Sequence, residues 1–235
     1  PLPMIKAAIL DAQYMTNIHS LYLIGEASGT SLVRNANNLG SKVVQHIAHR
    51  HEAGHGTGGV VDVVIVGAGP AGANAGIMAA SQGCHTIIID EQAMPGGQIW
   101  RAKSEAIKSA PMTPEIIDGD KLRVSIAESN LTHIANARVW QIERELDEWV
   151  LHFIINGRSE KIGAKVLILA TGAREYVQPT PGWTLPGVIG LAGATALMKR
   201  DLLTPGKRTV VSGTGPLVFF VASEIRRLGG EVAAI

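Results

Sequence analysis

Three glycines, Gly67, Gly69 and Gly72, stand in a Gly67-Ala68-Gly69-Pro70-Ala71-Gly72 turn between an apolar run and a stretch of small residues. A turn of this spacing can bring bare backbone N–H groups up to a diphosphate. The first glycine permits the tight turn, the second lets backbone approach a pyrophosphate, and the third lets a helix pack closely on a sheet. A helix opening at the turn adds free N–H groups and a partial positive charge. Pro70 and Ala71 begin that helix, and the missing N–H of Pro70 is tolerated in a first turn. Asp90 and Glu91 follow at the end of the next apolar run. A carboxylate there can accept hydrogen bonds from an adenosine ribose and repel a 2′-phosphate. FAD and NAD share the adenosine and the pyrophosphate, so the turn alone leaves both open.

Strands and helices that hold these residues can be read on either side of the turn. Val60 to Val66 (VVDVVIV) is nearly continuous in apolar residues, as expected of a strand buried on both faces of a parallel sheet. A helix is expected from the turn to about Gln82, ended by Gly83, and His85 to Asp90 is a second buried strand. Pro114, capped by Thr113, opens a helix to about Asn130. Strands at Arg138 to Glu143, at Trp149 to Ile155 and near Lys161 read as an antiparallel meander, with Asn156-Gly157 as a hairpin turn. Lys165 to Ala170 is again a buried strand, ending at Thr171-Gly172. A helix over Gly190 to Arg200 and a second strand–turn–helix follow: Arg208 to Ser212, Gly213-Thr214-Gly215-Pro216, then Leu217 to Leu228, with a further strand from Glu231.

The chain has 235 residues, 46% of them hydrophobic and 17% charged, with 27 glycines. Its net charge of +1 and 4% aromatic content exclude a strong field toward nucleic acid or a base-stacking platform. No apolar run is long enough for a membrane span. Cys84 is the one cysteine, so no disulfide and no Cys-x-x-Cys pair can form within the chain. Its expected role is that of a small apolar filler, in a reducing, cytoplasmic setting. His46, His49, His51 and His55 have spacings that could reach one ion, but no cysteine and few carboxylates support them. They are expected to be solvated, and no metal site is assigned. The chain begins at Pro1 and stops inside an expected strand, which reads as part of a longer polypeptide.

At Val60 to Asp90, Pro95-Gly96-Gly97-Gln98 and Leu167 to Gly172 the sequence resembles the flavoproteins with two dinucleotide-binding domains. Gly182-Trp183-Thr184-Leu185-Pro186-Gly187-Val188, Pro205-Gly206-Lys207-Arg208 and Gly213 to Leu217 carry a closer resemblance. They are similar to the FAD subunits of opine oxidase and hydrogen cyanide synthase, and to the related sarcosine oxidase alpha subunits and proline or hydroxyproline dehydrogenases. The resemblance implies that Gly97 and Gln98 lie near a flavin's pyrophosphate and ribityl chain. It places Ala170, Thr171 and Gly172 close to the cofactor, and Val139 at a backbone contact to adenine, against plain strand packing as the alternative.

The same resemblance makes Gly213 and Gly215 a pyridine-nucleotide turn, from which the chain departs by having Val218 at the third glycine's place. It also makes Leu21 to Glu26 a C-terminal-type FAD motif, with Gly25 and Glu26 at its end and Glu26 replacing the usual aspartate. That motif comes before the Gly67 turn here. Either residues 1–50 belong to an upstream flavoprotein unit, the favoured reading, or the order is permuted and Glu26 completes the site of Gly67 and Asp90.

The fold class expected is α/β: a Rossmann-like FAD-binding domain with a parallel sheet and antiparallel meander, plus the start of a second βαβ dinucleotide-binding domain. The expected divisions are 1–50, a linker at 51–59, the FAD-binding domain at 60–180 and the second domain at 181–235. The expected function is an FAD-dependent oxidoreductase acting on an amine or amino-acid-like substrate, with FAD as cofactor and NAD(P) as a candidate second nucleotide. The alternatives are an electron-transfer subunit that only holds FAD, and an NAD(P)H-dependent flavoprotein reductase. A small-molecule substrate and a partner subunit, or further domains of a longer chain, are the expected partners. No catalytic residue stands out.

Overall fold

The computed structural model describes residues 8–29, 39–40, 42–47, 59–107 and 113–235. His49, His51 and His55, and all of the expected 51–59 linker except Gly59, lie outside them. The chain forms two units, one of Pro1–Trp100 with Ile117–Ala173, the other of Arg101–Ile116 with Arg174–Ile235.

The first unit is built on a mixed sheet. Its elements in chain order are β1 (Leu21–Leu23), a 3-10 turn at Gly25–Ser28, β2 (Val60–Val66), α1 (Pro70–Ser81), β3 (Thr86–Ile89), α2 (Pro114–Glu128), β4 (Thr132–Ile134), β5 (Arg138–Glu145), β6 (Glu148–Ile155) and β7 (Arg158–Leu169). The strands run in the order β4-β3-β2-β7-β6-β5, with β1 also paired to β7. The β4-β3-β2-β7 part is parallel and the β7-β6-β5 part antiparallel.

β7 is one strand where the sequence suggests two, near Lys161 and from Lys165. Its first half hydrogen-bonds β6 antiparallel, Ile155↔Arg158 to Trp149↔Ala164. Its second half pairs with β2 on one edge and with β1 on the other, Leu21↔Leu167 to Leu23↔Leu169. Long-range pairing on both edges keeps the residues between the two runs extended. β4 is also absent from the sequence reading, since Thr132–Ile134 is too short to carry a period-2 pattern.

Alternation along β2 feeds two cores. Val63 and Ile65 join Ile88, Val166, Ile168, Tyr22 and Ile24 beneath Ala71, Ala75 and Ala79 of α1 and Val43, Val44 and Ile47 of a helical segment at 42–47. Val64 faces the other way, onto Leu151, Phe153, Trp149 and Leu167 of the meander, and Val61 at the start of the strand joins the same cluster. The small residues of α1 bring it close to the sheet: a Cβ on Gly76 would lie 3.0 Å from Cγ1 of Ile88. The one charge within β2, Asp62, is buried. It accepts the His85 N–H at 2.9 Å and the Lys165 ammonium at 2.8 Å, which meets the requirement that a buried charge be paired.

The second unit contains α3 (Leu191–Ala196), which runs on into a π-helical turn at Leu197–Asp201, then β8 (Arg208–Val210), α4 (Leu217–Arg227) and β9 (Glu231–Ala234). β8 and β9 pair in parallel. Met198, Val218, Val221, Ala222 and Ile225 form its core. The Glu175 carboxylate accepts the N–H groups of Leu191 at 2.5 Å and Ala192 at 2.9 Å, a negative charge at the opening turn of α3.

Candidate dinucleotide-binding site

The turn between β2 and α1 is held in place by its neighbours. Gly67 takes φ of +105°, a conformation that side chains disfavour. It donates its N–H to the Ile89 carbonyl at 2.8 Å. A Cβ there would stand 2.9 Å from the Ala170 carbonyl carbon. A Cβ on Gly72 would strike the Gly67 carbonyl oxygen and come within 2.9 Å of the Ala170 Cβ. These two glycines therefore serve the packing of turn, helix and β7.

Gly69 is different. It is the N-cap of α1, extended at φ −68° and ψ 179°, and no side chain caps the helix. Among the described residues a Cβ on it would meet only the Gly97 Cα, at 3.9 Å. Among the described residues no side chain caps the first turn, which begins with Pro70 and Ala71 and has Gly97 beside its N-cap.

Gly96, which is buried, and Gly97 come up to the turn from the facing loop. The Gly96 N–H bonds the Ala68 carbonyl at 2.9 Å. Gly97, at φ +60°, lies so close that a Cβ on it would stand 3.0 Å from the Gly69 Cα. The Gln98 side chain donates to the Ala173 carbonyl at 2.9 Å, tying this loop to the segment that follows β7. Ala170 is buried beneath Gly67 and Gly72 and donates its N–H to Val66 at 2.9 Å, while Thr171 and Gly172 are exposed beyond it.

Asp90 is buried at the end of β3. One carboxylate oxygen accepts the Ala68 N–H of the glycine turn, and the other accepts the Gln92 N–H at 2.6 Å. The carboxylate is thus aimed at the turn. Glu91 is exposed, 3.6 Å from Arg138 of β5. Val139 packs into the core between meander and sheet, beside a bulge at Trp140.

The N-terminal segment does not stand apart. β1 lies in the same sheet as β2, and Ile24 extends the ladder by donating to the Leu169 carbonyl at 3.0 Å. A Cβ on Gly25 would be 3.2 Å from the Ala71 side chain, and one on Gly40 would be 2.7 Å from the Ala71 carbonyl oxygen. The structure therefore sets Gly25 beside Ala71, in the helix that opens at the glycine turn. Glu26 is exposed, in the 3-10 turn next to it. Tyr22, Ile24, Val43 and Ile47 are core residues of this sheet, which is why the segment pairs here.

Gly213 and Gly215 belong to the second unit. There α4 begins one position later than α1 does relative to its glycines, with Pro216 as N-cap and Leu217 first. A Cβ on Gly213 would lie 2.7 Å from Cγ1 of Val218, so valine fills the space close to this turn. Among the described residues no group of three or more His, Cys, Asp or Glu side chains is arranged to hold a metal ion. No described helix is long and apolar enough to cross a membrane. The residue that sequence reading misses is Arg123, whose guanidinium on α2 reaches the 95–100 loop.

Residues 61–235 match the family model described as pyridine nucleotide-disulphide oxidoreductase. The chain belongs to that family. It is an oxidoreductase family that binds FAD and pyridine nucleotides, and the resemblance read from the residues is borne out. An opine oxidase subunit of Agrobacterium tumefaciens is 33% identical over 175 residues, covering 70% of this chain and 34% of the relative. Hydrogen cyanide synthase subunit HcnB of Pseudomonas aeruginosa is 33% identical over 183 residues, covering 73% of this chain and 37% of the relative. The crystal structure of L-proline dehydrogenase from P. horikoshii superposes with a TM-score of 0.64 at 25% identity, over 75% of this chain and 35% of that one. The chain thus spans about a third of the length of these relatives. The matched stretch begins within β2, so the position of β1 and Glu26 rests on the structure alone.

Proposed function

We propose that this chain binds FAD through the β2–α1 turn, as part of an FAD-dependent dehydrogenase or oxidase that acts on an amine or amino-acid-like substrate. One observation carries the cofactor reading. Gly69 and Gly97 face each other at an uncapped helix N-terminus, with the Asp90 carboxylate directed at the same turn. Among the described residues no neighbour of Gly69 excludes a side chain, which supports close approach of a ligand as the reason for glycine there.

In this reading Gly67, Gly69 and Gly72 shape the turn, and the first N–H groups of α1 hold the diphosphate. Asp90 and Glu91 serve the adenosine ribose and Val139 the adenine. Gly97, Gln98 and the Ala170-Thr171-Gly172 segment border the ribityl side. The contact of Gly25 with Ala71 supports Glu26 acting at this same cofactor rather than at another. Bound flavin supplies two-electron oxidation chemistry, and the chain's own residues bind and orient it.

The amine substrate is supported by relatives whose names are opine oxidase and sarcosine oxidase subunits and by the L-proline dehydrogenase structure. The word subunit in those names also supports a second reading, in which this chain holds FAD and passes electrons to or from a partner subunit. Val218 against Gly213 weighs against a nicotinamide nucleotide at the second turn.

The test is the absorbance spectrum of the purified full-length protein. Flavin bands that bleach with an opine, sarcosine or proline favour the first reading, and bleaching only with a partner protein present favours the second. Bleaching by NADH but by no amine favours a reductase. A protein that neither retains nor takes up FAD sinks the proposal.

A further inference from the structure

Arg123 lies on α2 with its side chain only 14% exposed. Its Nη1 donates to two carbonyls, those of Pro95 and Trp100, each at 3.0 Å. Its Nη2 donates to the Asp120 carboxylate at 2.7 Å, which orients the guanidinium. Pro95 and Trp100 are the two ends of one turn, closed by the Trp100 N–H on the Gly96 carbonyl at 3.1 Å. Gly119 makes the approach possible, since a Cβ there would lie 3.1 Å from both the Trp100 carbonyl oxygen and the Arg123 Nη2.

Between the two pinned carbonyls stand Gly96, bonded to Ala68, and Gly97, packed against Gly69. Arg123 lies against Gly96, where a Cβ would stand 3.2 Å from its Nη1, while its hydrogen bonds go to the carbonyls on either side. A charged donor on two carbonyls gives stronger and more directional bonds than neutral pairs do. A turn ordered beforehand costs a ligand less to bind.

We propose that Arg123 is a positioning residue of the dinucleotide site, locking the 95–100 turn so that Gly96 and Gly97 stand against the phosphate turn. This rests on the reading that the Gly67–Gly72 turn binds FAD. A lysine keeps the charge but lacks the rigid planar fork, so geometry and charge can be separated.

The experiment titrates FAD into full-length apoprotein for wild type, Arg123→Ala, Arg123→Lys and Asp120→Ala, following flavin fluorescence and the visible circular dichroism of the saturated protein. Wild type binds. Arg123→Ala and Arg123→Lys both weaken binding about tenfold, Asp120→Ala about threefold. The flavin dichroism of Arg123→Lys at saturation differs from wild type, which an arginine that merely supported the fold would not produce. Binding by Arg123→Lys within about twofold of wild type, with the same dichroism, overturns the proposal. If Arg123→Ala does not fold, Arg123→Lys alone decides by the same criterion. A wild type that binds no FAD removes the functional reading and this proposal together, whereas a binding wild type with indifferent variants removes this one only.

Discussion

The Asp90 carboxylate accepts the Ala68 N–H, joining the end of β3 to the glycine turn that ends β2. The same group accepts the Gln92 N–H, so it organises two backbone segments before any ligand arrives. Asp90→Ala leaves a buried donor without an acceptor and is expected to destabilise the apoprotein by about 1–3 kcal/mol. Asp90→Asn keeps one acceptor oxygen and should melt closer to wild type while still binding FAD more weakly. Thermal melts of the three apoproteins decide the matter, and an alanine variant that melts with wild type removes the organising role.

Gly69 and Gly72 should respond oppositely to a methyl group. Gly72→Ala drives its Cβ into the Gly67 carbonyl and the Ala170 side chain, and overpacking of that kind costs roughly 1–3 kcal/mol. Gly69→Ala meets only ordinary contact in a backbone conformation open to any residue. Its apoprotein should melt within a few degrees of wild type, while FAD affinity falls about tenfold or more. Equal FAD affinity in Gly69→Ala and wild type would mean that no ligand approaches that face.

His133 sets an acid limit on stability. Its Nε2 is buried without a hydrogen-bond partner among the described residues. Burial pushes its imidazole below the usual value of 6.5, with nearby Asp90 opposing more weakly. The unfolded chain then binds a proton that the folded one resists, so the stability this group contributes is whole above about pH 6.5. It is lost as pH falls through the depressed folded value. His133→Leu should flatten this dependence in melts taken from about pH 7.5 to about pH 5. Parallel curves for the two proteins would rule the histidine out as its source.

The thiol of Cys84 should be slow. Burial raises its pKa above the usual 9.0, Asp62 raises it further, and Lys165 partly opposes them. Thiolate is the reactive form, so an aromatic disulfide reagent at neutral pH should modify the native protein far more slowly than the denatured chain. Comparable rates would show that the thiol is accessible.

How much of this was legible beforehand varies by residue. The β2–turn–α1–β3 unit could be read directly, because an apolar run, a glycine turn and a second apolar run are contiguous and each pattern is local. Val218 was visible as a departure from the glycine pattern, and the structure sets it against Gly213. Arg123 was not visible, because an arginine in a polar helix looks like any solvated one until the fold brings Pro95 and Trp100 beneath it. The joined strand β7 has no local signature for a similar reason: β6 on one stretch and β2 and β1 on another hold it extended.

Neighbouring residues are enough to specify the strand–turn–helix and the glycines that shape it, since backbone conformation and hydrophobic period are local properties. Folding in three dimensions is what sets Leu21–Leu23 beside Leu167–Leu169, Gly25 against Ala71, and the Asp90 carboxylate on Ala68. Those pairings join residues far apart in the chain. They follow from which apolar faces must be buried together and which backbone donors still need an acceptor, and no local pattern encodes either.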